Sequence, residues 1–286
     1  MLDTVIILAG GASSRMKKST SNEISDEMTQ QANSRSKALI LLNDRPMLDY
    51  LLYNAKQAGY KNIYIVIGKG GELFKEYYGA KDTDNDFHGL SVSYAIQHIP
   101  EGRVKPLGTA DAVFQTLEQY PELQSQQFVV CNCDNLYSEK AFQLLKEDDH
   151  SNALINYDRD VLKYPQERIE RFAITKTNYQ NYLEDILEKP SKEEVENYKD
   201  SQGKLRVSMN IFKFDGSLFY SFLKSCPLHP IRQEKELPTA LMMMVKEHPT
   251  SVLGIPMAEH VPDLTSKEDI LIMNTYLKEH NINLDW

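Results

Sequence analysis

Near its start the sequence reads Thr4-Val5-Ile6-Ile7-Leu8-Ala9-Gly10-Gly11-Ala12-Ser13-Ser14-Arg15-Met16, a short apolar run that passes directly into a turn rich in glycine and serine. The run is rich in β-branched residues and does not alternate with polar ones, which predicts a strand covered on both faces. Gly10 and Gly11 allow backbone conformations that other residues resist, and they let a ligand contact main-chain N–H groups. Arg15 adds a planar fork of donors for phosphate oxygens, and Lys37 adds a mobile positive charge. This combination is typical of a polyphosphate-binding loop, while a plain strand–turn–helix explains the local pattern about equally well.

Length, composition and charge exclude several classes of protein. The 286 residues are 41% hydrophobic and 26% charged, which is ordinary for a globular protein. The formal net charge of −9 argues against binding to nucleic acid or to an anionic membrane. No apolar run is long enough to span a bilayer, and Met1 leads into a strand rather than a signal peptide. The three cysteines fit a reduced, cytoplasmic protein, and no second Cys/His pair accompanies Cys131 and Cys133 to complete a zinc site.

Strand-like and helix-like segments alternate along most of the sequence. We predict strands over 4–9, 63–67, 90–96, 128–131, 207–214 and 251–255, a strand pair at 171–175 and 183–188, and helices over 46–58, 72–78, 109–120, 237–247 and 266–279. This order predicts an α/β fold with a single doubly wound, mostly parallel mixed sheet and helices on both faces. In such folds ligands bind at the carboxyl ends of the strands.

We expect one catalytic domain over residues 1–286, with a flexible polar loop at about 17–36. That segment has almost no large apolar residue, so its composition does not favour a packed structure. It is either a spacer or a lid over the ligand. The sequence ends at Trp286 without a hexapeptide-repeat tail, so we expect no attached acyltransferase solenoid.

Two aspartates have positions that suit a divalent cation. Asp134 follows the predicted strand 128–131, and Asp263 lies just ahead of the last predicted helix. A carboxylate at the carboxyl end of a central strand faces the ligand-binding crevice. Mg²⁺ needs few protein carboxylates, because it keeps water and substrate phosphate oxygens as ligands. Considered without its context, Asp134 is better explained as a helix-capping residue before Ser138, and Asp263 likewise lies just ahead of a helix.

The segment Leu8-Ala9-Gly10-Gly11, with Arg15 and the later Lys37-Ala38-Leu39, resembles the opening of the sugar-phosphate nucleotidylyltransferases. It matches neither the Walker pattern nor the G-x-G-x-x-G dinucleotide fingerprint. The resemblance extends to Asp269 and implies the Rossmann-like fold of nucleotide-diphospho-sugar transferases. It also implies that this segment binds a nucleoside triphosphate, whose phosphates Arg15 and Lys37 hold, and that Asp134 and Asp263 bind Mg²⁺.

A second match concerns the nucleoside. Gln97 follows a predicted strand, and Pro106-Leu107-Gly108-Thr109-Ala110 opens a predicted helix, as in the same family. The resemblance implies that Gln97 contacts the edge of the base and that Gly108 lets the backbone approach the base and ribose. We also predict that Thr109 caps the helix, which is compatible with nucleotide binding.

The acceptor site is implied by less specific motifs. In Glu188-Lys189-Pro190, the resemblance assigns the glutamate to sugar hydroxyls and the lysine to the sugar phosphate, although charged residues at a strand end are usually solvated. Asn210 lies in an apolar strand, where the family has a sugar-contacting asparagine. Asn135 and Arg171 belong to the same implied site, with alanine replacing the family's glycine in Arg171-Phe172-Ala173. Glu236 is explained equally well as a sugar contact and as an exposed residue of a first helical turn.

The resemblance implies an enzyme that joins a nucleoside triphosphate and a sugar 1-phosphate with Mg²⁺, giving a nucleotide sugar and pyrophosphate. Arg15 and Lys37 would stabilise the departing pyrophosphate, and Lys189 would bring in the second anion. Nucleotidyl transfer to a molybdopterin, cobinamide, methylerythritol or choline phosphate is an alternative, because Ser13-Ser14-Arg15-Met16 resembles the molybdopterin guanylyltransferases at least as well. A non-catalytic nucleotide-binding regulator on the same scaffold is another. The base, the sugar and assembly into a homo-oligomer stay open.

Overall fold

A ten-stranded mixed sheet forms the centre of the computed structural model, which describes residues 2–21 and 23–286. The strands are β1 (Thr4–Leu8), β2 (Leu41–Leu42), β3 (Arg45–Pro46), β4 (Asn62–Ile67), β5 (Asn85–Phe87), β6 (Leu90–Ile96), β7 (Gln127–Asn132), β8 (Ala153–Asp158), β9 (Ile174–Thr177), β10 (Leu183–Leu187), β11 (Arg206–Asp215) and β12 (Leu253–Met257). The α-helices are α1 (Ser14–Lys18), α2 (Asp26–Ser34), α3 (Met47–Gln57), α4 (Glu72–Tyr78), α5 (Thr109–Gln119), α6 (Glu139–Glu147), α7 (Gln166–Ile169), α8 (Lys192–Glu196), α9 (Gly216–Ser225), α10 (Leu237–Glu247) and α11 (Glu268–Glu279).

The sheet has the order β10-β9-β11-β7-β1-β4-β6-β5, with β8 added to β11 and β12 added to β8. The four strands β7, β1, β4 and β6 run parallel to one another, whereas β11 pairs antiparallel with β7, β8 and β9. The predicted doubly wound α/β fold with a mixed sheet is confirmed. Antiparallel pairs occur between β11 and its three neighbours, between β9 and β10, and between β5 and β6 at the other edge.

Burial on both faces explains why β1 shows no alternation of apolar and polar residues. Val5 and Ile7 pack on one side of the sheet in a core that includes residues of α3 and α6. Ile6 points to the opposite side, into a core that includes residues of α5, α9 and α10. All three side chains are fully buried, as expected for a central parallel strand with helices on each face.

The polar segment 17–36 contains a helix where the composition predicted only a loop. The hydroxyl of Ser25 caps α2 by accepting a hydrogen bond from the N–H of Met28 at 3.2 Å. Ala32 is fully buried, and Oε1 of Gln31 accepts a hydrogen bond from the N–H of Leu41 at 3.1 Å. A local cap and a few small contacts therefore order the helix without a large apolar face. Its flexibility and a lid function stay predictions, and Met1 and Asn22 lie outside the described residues.

The parallel register brings the carboxyl ends of the central strands to one edge of the sheet. Leu8, at the end of β1, is paired with Val66 on one side and with Asn132 on the other. Ile67 is paired in turn with Ile96, the last residue of β6. The segments that follow these strands therefore lie side by side. Among the described residues, no helix has both the length and the apolar character needed to cross a bilayer.

Candidate functional site

A cavity of about 530 Å³ lies at this edge of the sheet. Its lining includes every residue that the sequence predicted to contact the nucleotide, and three further predicted residues. They are Leu8, Ala9, Gly10, Gly11, Arg15, Lys37, Gln97, Gly108 and Thr109, together with Asp134, Glu188 and Asn210. The fold thus brings together groups from the first 40 residues, the middle of the chain and β11.

The glycine-rich turn leads from β1 into the short helix α1, which carries Arg15. Ser13 precedes this helix in a left-handed conformation with φ of 52° and makes no side-chain cap. The other end of α1 is held by Lys267, which is only 4% exposed. Its ammonium group donates hydrogen bonds to the carbonyl oxygens of Met16 at 3.0 Å and Lys17 at 3.1 Å. Because so short a helix has little stability of its own, this lysine contributes to the position of Arg15.

Lys37 and Asp134 form an ion pair inside the cavity. The ammonium group lies 2.8 Å from Oδ2 of the carboxylate, and the two side chains are 10% and 22% exposed. Lys37 begins a short 3-10 helix that extends to Leu39. Asp134 lies two residues after the end of β7, and the sequence likewise predicted a position just beyond this strand. Both groups therefore line the same cavity, where Lys37 supplies a positive charge and Asp134 a carboxylate.

Asp263 lies beside Asp134, although it is not part of the cavity lining. The N–H of Leu264 donates a hydrogen bond to the carbonyl oxygen of Asp134 at 2.8 Å. Oδ2 of Asp263 accepts hydrogen bonds from Nη2 of Arg168 at 2.7 Å and from Oγ1 of Thr265 at 2.6 Å. Burial raises the pKa of Asp263, and the negative charge of Asp134 raises it further. A cation between the two carboxylates would relieve this repulsion.

The donor set at this place fits a hard divalent cation. Asp134 and Asp263 supply carboxylate oxygens from neighbouring segments, and Mg²⁺ takes its remaining ligands from water and phosphate. In residues 2–21 and 23–286, no group of three or more His, Cys, Asp or Glu side chains is arranged to hold a metal ion. A magnesium ion here would therefore depend on these two aspartates together with substrate oxygens.

Gln97 and Gly108 also line the cavity and contact each other. Nε2 of Gln97 donates a hydrogen bond to the carbonyl oxygen of Gly108 at 2.9 Å. Gly108 has φ of 119°, and a Cβ atom there would lie 2.3 Å from the carbonyl oxygen of Lys235, so only glycine fits. Thr109 does not cap α5 as predicted, since Gly108 occupies the cap position. Its hydroxyl instead accepts a hydrogen bond from the N–H of Leu237 at 2.9 Å.

The cavity lining also contains an ion triad that the sequence did not predict. Arg232 lies between two carboxylates, with Nη2 2.6 Å from Oε2 of Glu188 and Nε 2.6 Å from Oε1 of Glu236. Burial raises the pKa of Glu236. Asn210 has φ of 58° and lies where β11 shifts register between Ser208 and Phe212. The only sequence signal for Arg232 was a charge-rich stretch after Pro230, which is usual for a solvated loop.

Three residues predicted to bind the sugar phosphate do not line the cavity. Lys189 and Arg171 are exposed. Asn135 is buried and accepts a hydrogen bond from the hydroxyl of Tyr137 at 3.3 Å. A role of these residues in sugar binding stays a prediction.

Comparison with known proteins agrees with this architecture. A family model described as nucleotidyl transferase matches residues 4–253. A bifunctional protein GlmU from Staphylococcus epidermidis is 26% identical over 246 residues, which cover 85% of this chain and 45% of that protein. A glucose-1-phosphate adenylyltransferase from Clostridium novyi is 25% identical over 222 residues, covering 76% of this chain and 52% of that protein. The chain thus spans about half the length of these curated relatives.

A solved structure has the same fold. It is a UDP-glucose pyrophosphorylase complexed with UDP-glucose, and it superposes with a TM-score of 0.72 at 14% identity, covering 98% of this chain and 100% of that one. At this level of identity the likeness concerns the fold alone. The family model, by contrast, covers most of the chain and includes the glycine-rich turn, Lys37 and Asp134. The chain therefore belongs to the nucleotidyl transferase family.

Proposed function

We propose that this protein transfers a nucleotidyl group from a nucleoside triphosphate to a sugar 1-phosphate, releasing pyrophosphate. One observation carries the proposal: the glycine-rich turn, Arg15 and Lys37 share the lining of one cavity with Glu188 and Asn210. The first group has the chemistry to bind phosphates, and the second offers polar groups to hydroxyls of an acceptor. Asp134 lies between the two groups of residues in sequence and shares the same lining.

The relatives support the class of acceptor. One is by name a glucose-1-phosphate adenylyltransferase, and the solved structure is a UDP-glucose pyrophosphorylase with bound UDP-glucose. Their names refer to different bases, so they favour a sugar 1-phosphate without selecting the nucleotide.

The reaction forms a bond between a sugar-phosphate oxygen and the α-phosphorus. It breaks the bond from that phosphorus to the oxygen that bridges to the β-phosphorus, so pyrophosphate leaves in line. Such a step depends mainly on positioning and on neutralising charge. Arg15 and Lys37 stabilise the negative charge that develops on pyrophosphate, and the backbone N–H groups of Gly10 and Gly11 add to this. Mg²⁺ held by Asp134 and Asp263 would neutralise charge on the phosphate oxygens.

A pyrophosphate-release assay with magnesium tests the proposal. UTP, dTTP, CTP, GTP and ATP are each combined with a panel of sugar 1-phosphates and with phosphocholine. We expect release for one combination in the wild type and its loss in Asp134→Ala. Asp82→Ala is the matched control, because Asp82 is an exposed aspartate paired with Lys75 outside the cavity. Release that survives in Asp134→Ala would contradict the assigned site.

A second candidate is nucleotidyl transfer to a phosphate that is not on a sugar. It is favoured by the absence of Lys189 and Arg171 from the cavity lining, since both were predicted to serve the sugar phosphate. Release with phosphocholine alone, or silence across the sugars despite nucleotide binding, would support this acceptor class or a non-catalytic regulator.

We also propose Mg²⁺ as the cofactor, residues 1–286 as one catalytic domain and a cytoplasmic location. The oxygen donors of Asp134 and Asp263 support the cofactor. The cysteines Cys131, Cys133 and Cys226 are free and buried, which supports a reducing compartment. Activity that persists after complete chelation of divalent cations would contradict the choice of cofactor.

A further inference from the structure

A chain of hydrogen bonds with a fixed direction leads from the backbone of His98 into the cavity. The N–H of His98 donates to Oε1 of Gln115 at 2.8 Å. Nε2 of Gln115 donates to the carbonyl oxygen of His98 at 3.1 Å and to Oδ2 of Asp111 at 2.8 Å. Backbone groups cannot exchange the roles of donor and acceptor. They therefore fix the orientation of the Gln115 amide, and this side chain serves Asp111 as a donor only.

Asp111 connects Gln115 to Gln97 by accepting a hydrogen bond from each of the two amides. The carboxylate lies in the first turn of α5 and is 6% exposed. Its Oδ2 accepts a second hydrogen bond from Nε2 of Gln97 at 3.1 Å, and the other amide hydrogen of Gln97 goes to the carbonyl oxygen of Gly108 at 2.9 Å. Both partners are acceptors only, so a flipped amide would bring Oε1 against two oxygens. Both hydrogens of the Gln97 amide are therefore used within the protein.

Oε1 of Gln97 is left for a ligand. The Gln97 side chain is only 5% exposed but lines the cavity. A Cβ atom on Gly10 would lie 3.4 Å from Oε1, so this oxygen faces the glycine-rich turn. Within residues 2–21 and 23–286, the side-chain hydrogen bonds of Gln97 both use Nε2, and no protein group donates to Oε1. Gln97 thus offers a bound nucleotide an acceptor and no donor.

We propose that Asp111 is a positioning residue that fixes Gln97 as a pure hydrogen-bond acceptor, so that the site takes nucleobases through an N–H group on their edge. The inference rests on the proposed function, in which Gln97 contacts the base. Asp111 does not touch the nucleotide itself. Without it, the Gln97 amide loses one of two restraints and rotates more freely, so the choice between bases weakens.

Two Asp111 variants with side chains of similar size distinguish the effect of Asp111 on the orientation of the Gln97 amide from its effect on packing. Asp111→Asn keeps an oxygen that accepts from both glutamine side chains, whereas Asp111→Leu removes the acceptor. Both variants lose the same negative charge from the first turn of α5, so the asparagine variant controls for that loss. Dissociation constants for UTP, dTTP, CTP, GTP and ATP are measured by isothermal titration calorimetry with the full chain. The ratio between the weakest and the tightest nucleotide is the readout.

We expect Asp111→Leu to lower this ratio by about tenfold, since one oriented hydrogen bond is at stake, and Asp111→Asn to keep it within about threefold. The KM of the sugar 1-phosphate should not change in either variant. An unchanged ratio in Asp111→Leu, or an equal fall in both variants, would overturn the inference, because a merely structural role would not separate them.

A measurement on the wild type needs no variant and covers the case in which Asp111→Leu does not fold. The preferred nucleotide is compared with an analogue that lacks the edge N–H: the N3-methyl form of UTP or dTTP, the N1-methyl form of GTP, or the dimethylamino form of CTP or ATP. We expect binding to weaken by about tenfold or more. Equal binding would overturn the acceptor role of Gln97. If the protein distinguishes between nucleotides in binding but releases no pyrophosphate, this inference is supported and the proposed reaction is contradicted. If the protein binds none of the nucleotides, both are contradicted.

Discussion

The ammonium group of Lys37 lies 2.8 Å from Oδ2 of Asp134, although the residues are 97 positions apart in the sequence. One belongs to the segment after the glycine-rich turn and the other follows the central strand β7. Each neutralises the other in the absence of substrate. When a triphosphate and a cation are bound, both groups gain stronger partners of opposite charge. The pair therefore keeps a cation and a carboxylate ready at the place where phosphate charge develops.

Replacing Lys37 by alanine should slow pyrophosphate release by about 10²–10³-fold, because the lost charge acts mainly on the developing pyrophosphate. The kcat of the variant is compared with that of Lys75→Ala, which removes a lysine from an ion pair with the exposed Asp82. The control should retain the wild-type rate. Unchanged turnover in Lys37→Ala would remove this lysine from the mechanism.

Replacing Arg168 by methionine should destabilise the protein. Its guanidinium group lies 2.7 Å from Asp263 and 2.6 Å from Asp269, and the Asp269 side chain is only 4% exposed. Removing one partner of such a buried pair costs about 3–5 kcal/mol, because the carboxylates keep their charge without compensation. Urea unfolding measures the change in the free energy of unfolding.

The matched control for that variant is Lys176→Met. The ammonium group of Lys176 lies 3.5 Å from Glu184, and both side chains are about half exposed. An exposed pair contributes about 0–1 kcal/mol. Equal destabilisation by the two substitutions would contradict the importance assigned to burial.

Replacing Lys267 by methionine should weaken nucleotide binding more than acceptor binding. The buried ammonium group donates to three carbonyl oxygens at the end of α1, those of Met16, Lys17 and Ser19. Loss of these charge-assisted hydrogen bonds loosens the helix that carries Arg15. We expect the KM for the nucleoside triphosphate to rise about tenfold. Steady-state kinetics with each substrate varied in turn provides the measurement.

Lys278→Met serves as the comparison for Lys267, because Lys278 is an exposed lysine in the last turn of α11, the helix that Lys267 immediately precedes. It should leave both KM values near those of the wild type. A parallel rise of both KM values in Lys267→Met would indicate a general loss of structure instead of a local effect on α1.

Acidification should destabilise the protein through His260. Burial and the nearby positive charges of Lys163, His280 and Arg168 lower the pKa of His260 from 6.5 to about 4. Between these values the unfolded chain binds a proton at this site and the folded chain does not, so stability falls as pH falls from 6.5 to about 4. The loss amounts to about 2 kcal/mol at pH 4 after allowance for partial exposure.

In the wild type, the N–H of Lys163 donates a hydrogen bond to Nδ1 of His260 at 3.2 Å. The substitution His260→Asn removes the titratable imidazole and keeps a side-chain acceptor for this N–H. The free energy of unfolding of both proteins is measured from pH 7 to pH 4. The difference between them should change across this window by the amount given above. A constant difference would show that His260 does not carry this part of the pH dependence.

Local sequence patterns predicted several elements closely. The predicted bounds of α4, β6 and α10 are the observed ones. Glycines flank α4 at Gly71 and Gly79, Gly89 precedes β6, and Pro238 lies in the first turn of α10, so local residues mark several of these bounds. The predicted pairing of the segments around Ile174–Thr177 and Leu183–Leu187 is also observed, as an antiparallel pair.

Other elements were missed because the local signal contradicts the final structure. α9 starts at Gly216 and is rich in serine and aromatic residues, which have low helix propensity, so burial in the core decides its conformation. β8 includes Asn156 and is flanked by Asn152, both buried. The Asn156 side chain accepts a hydrogen bond from Thr175, and Asn152 bonds to the backbone. Because the hydrogen-bond partners of these polar residues come from distant parts of the chain, the local sequence of β8 does not predict a buried strand.

The sequence by itself determined the parallel centre of the sheet and the part of the cavity lined by the glycine-rich turn, Gln97 and Gly108, because these are contiguous motifs near strand ends. Only the tertiary structure decided which charges meet: Lys37 with Asp134, Asp263 with Arg168, and Arg232 between Glu188 and Glu236. Ion pairs and hydrogen bonds depend on distances of a few ångströms between segments far apart in the chain. Such distances are set by how the strands and helices pack, and no local pattern records them.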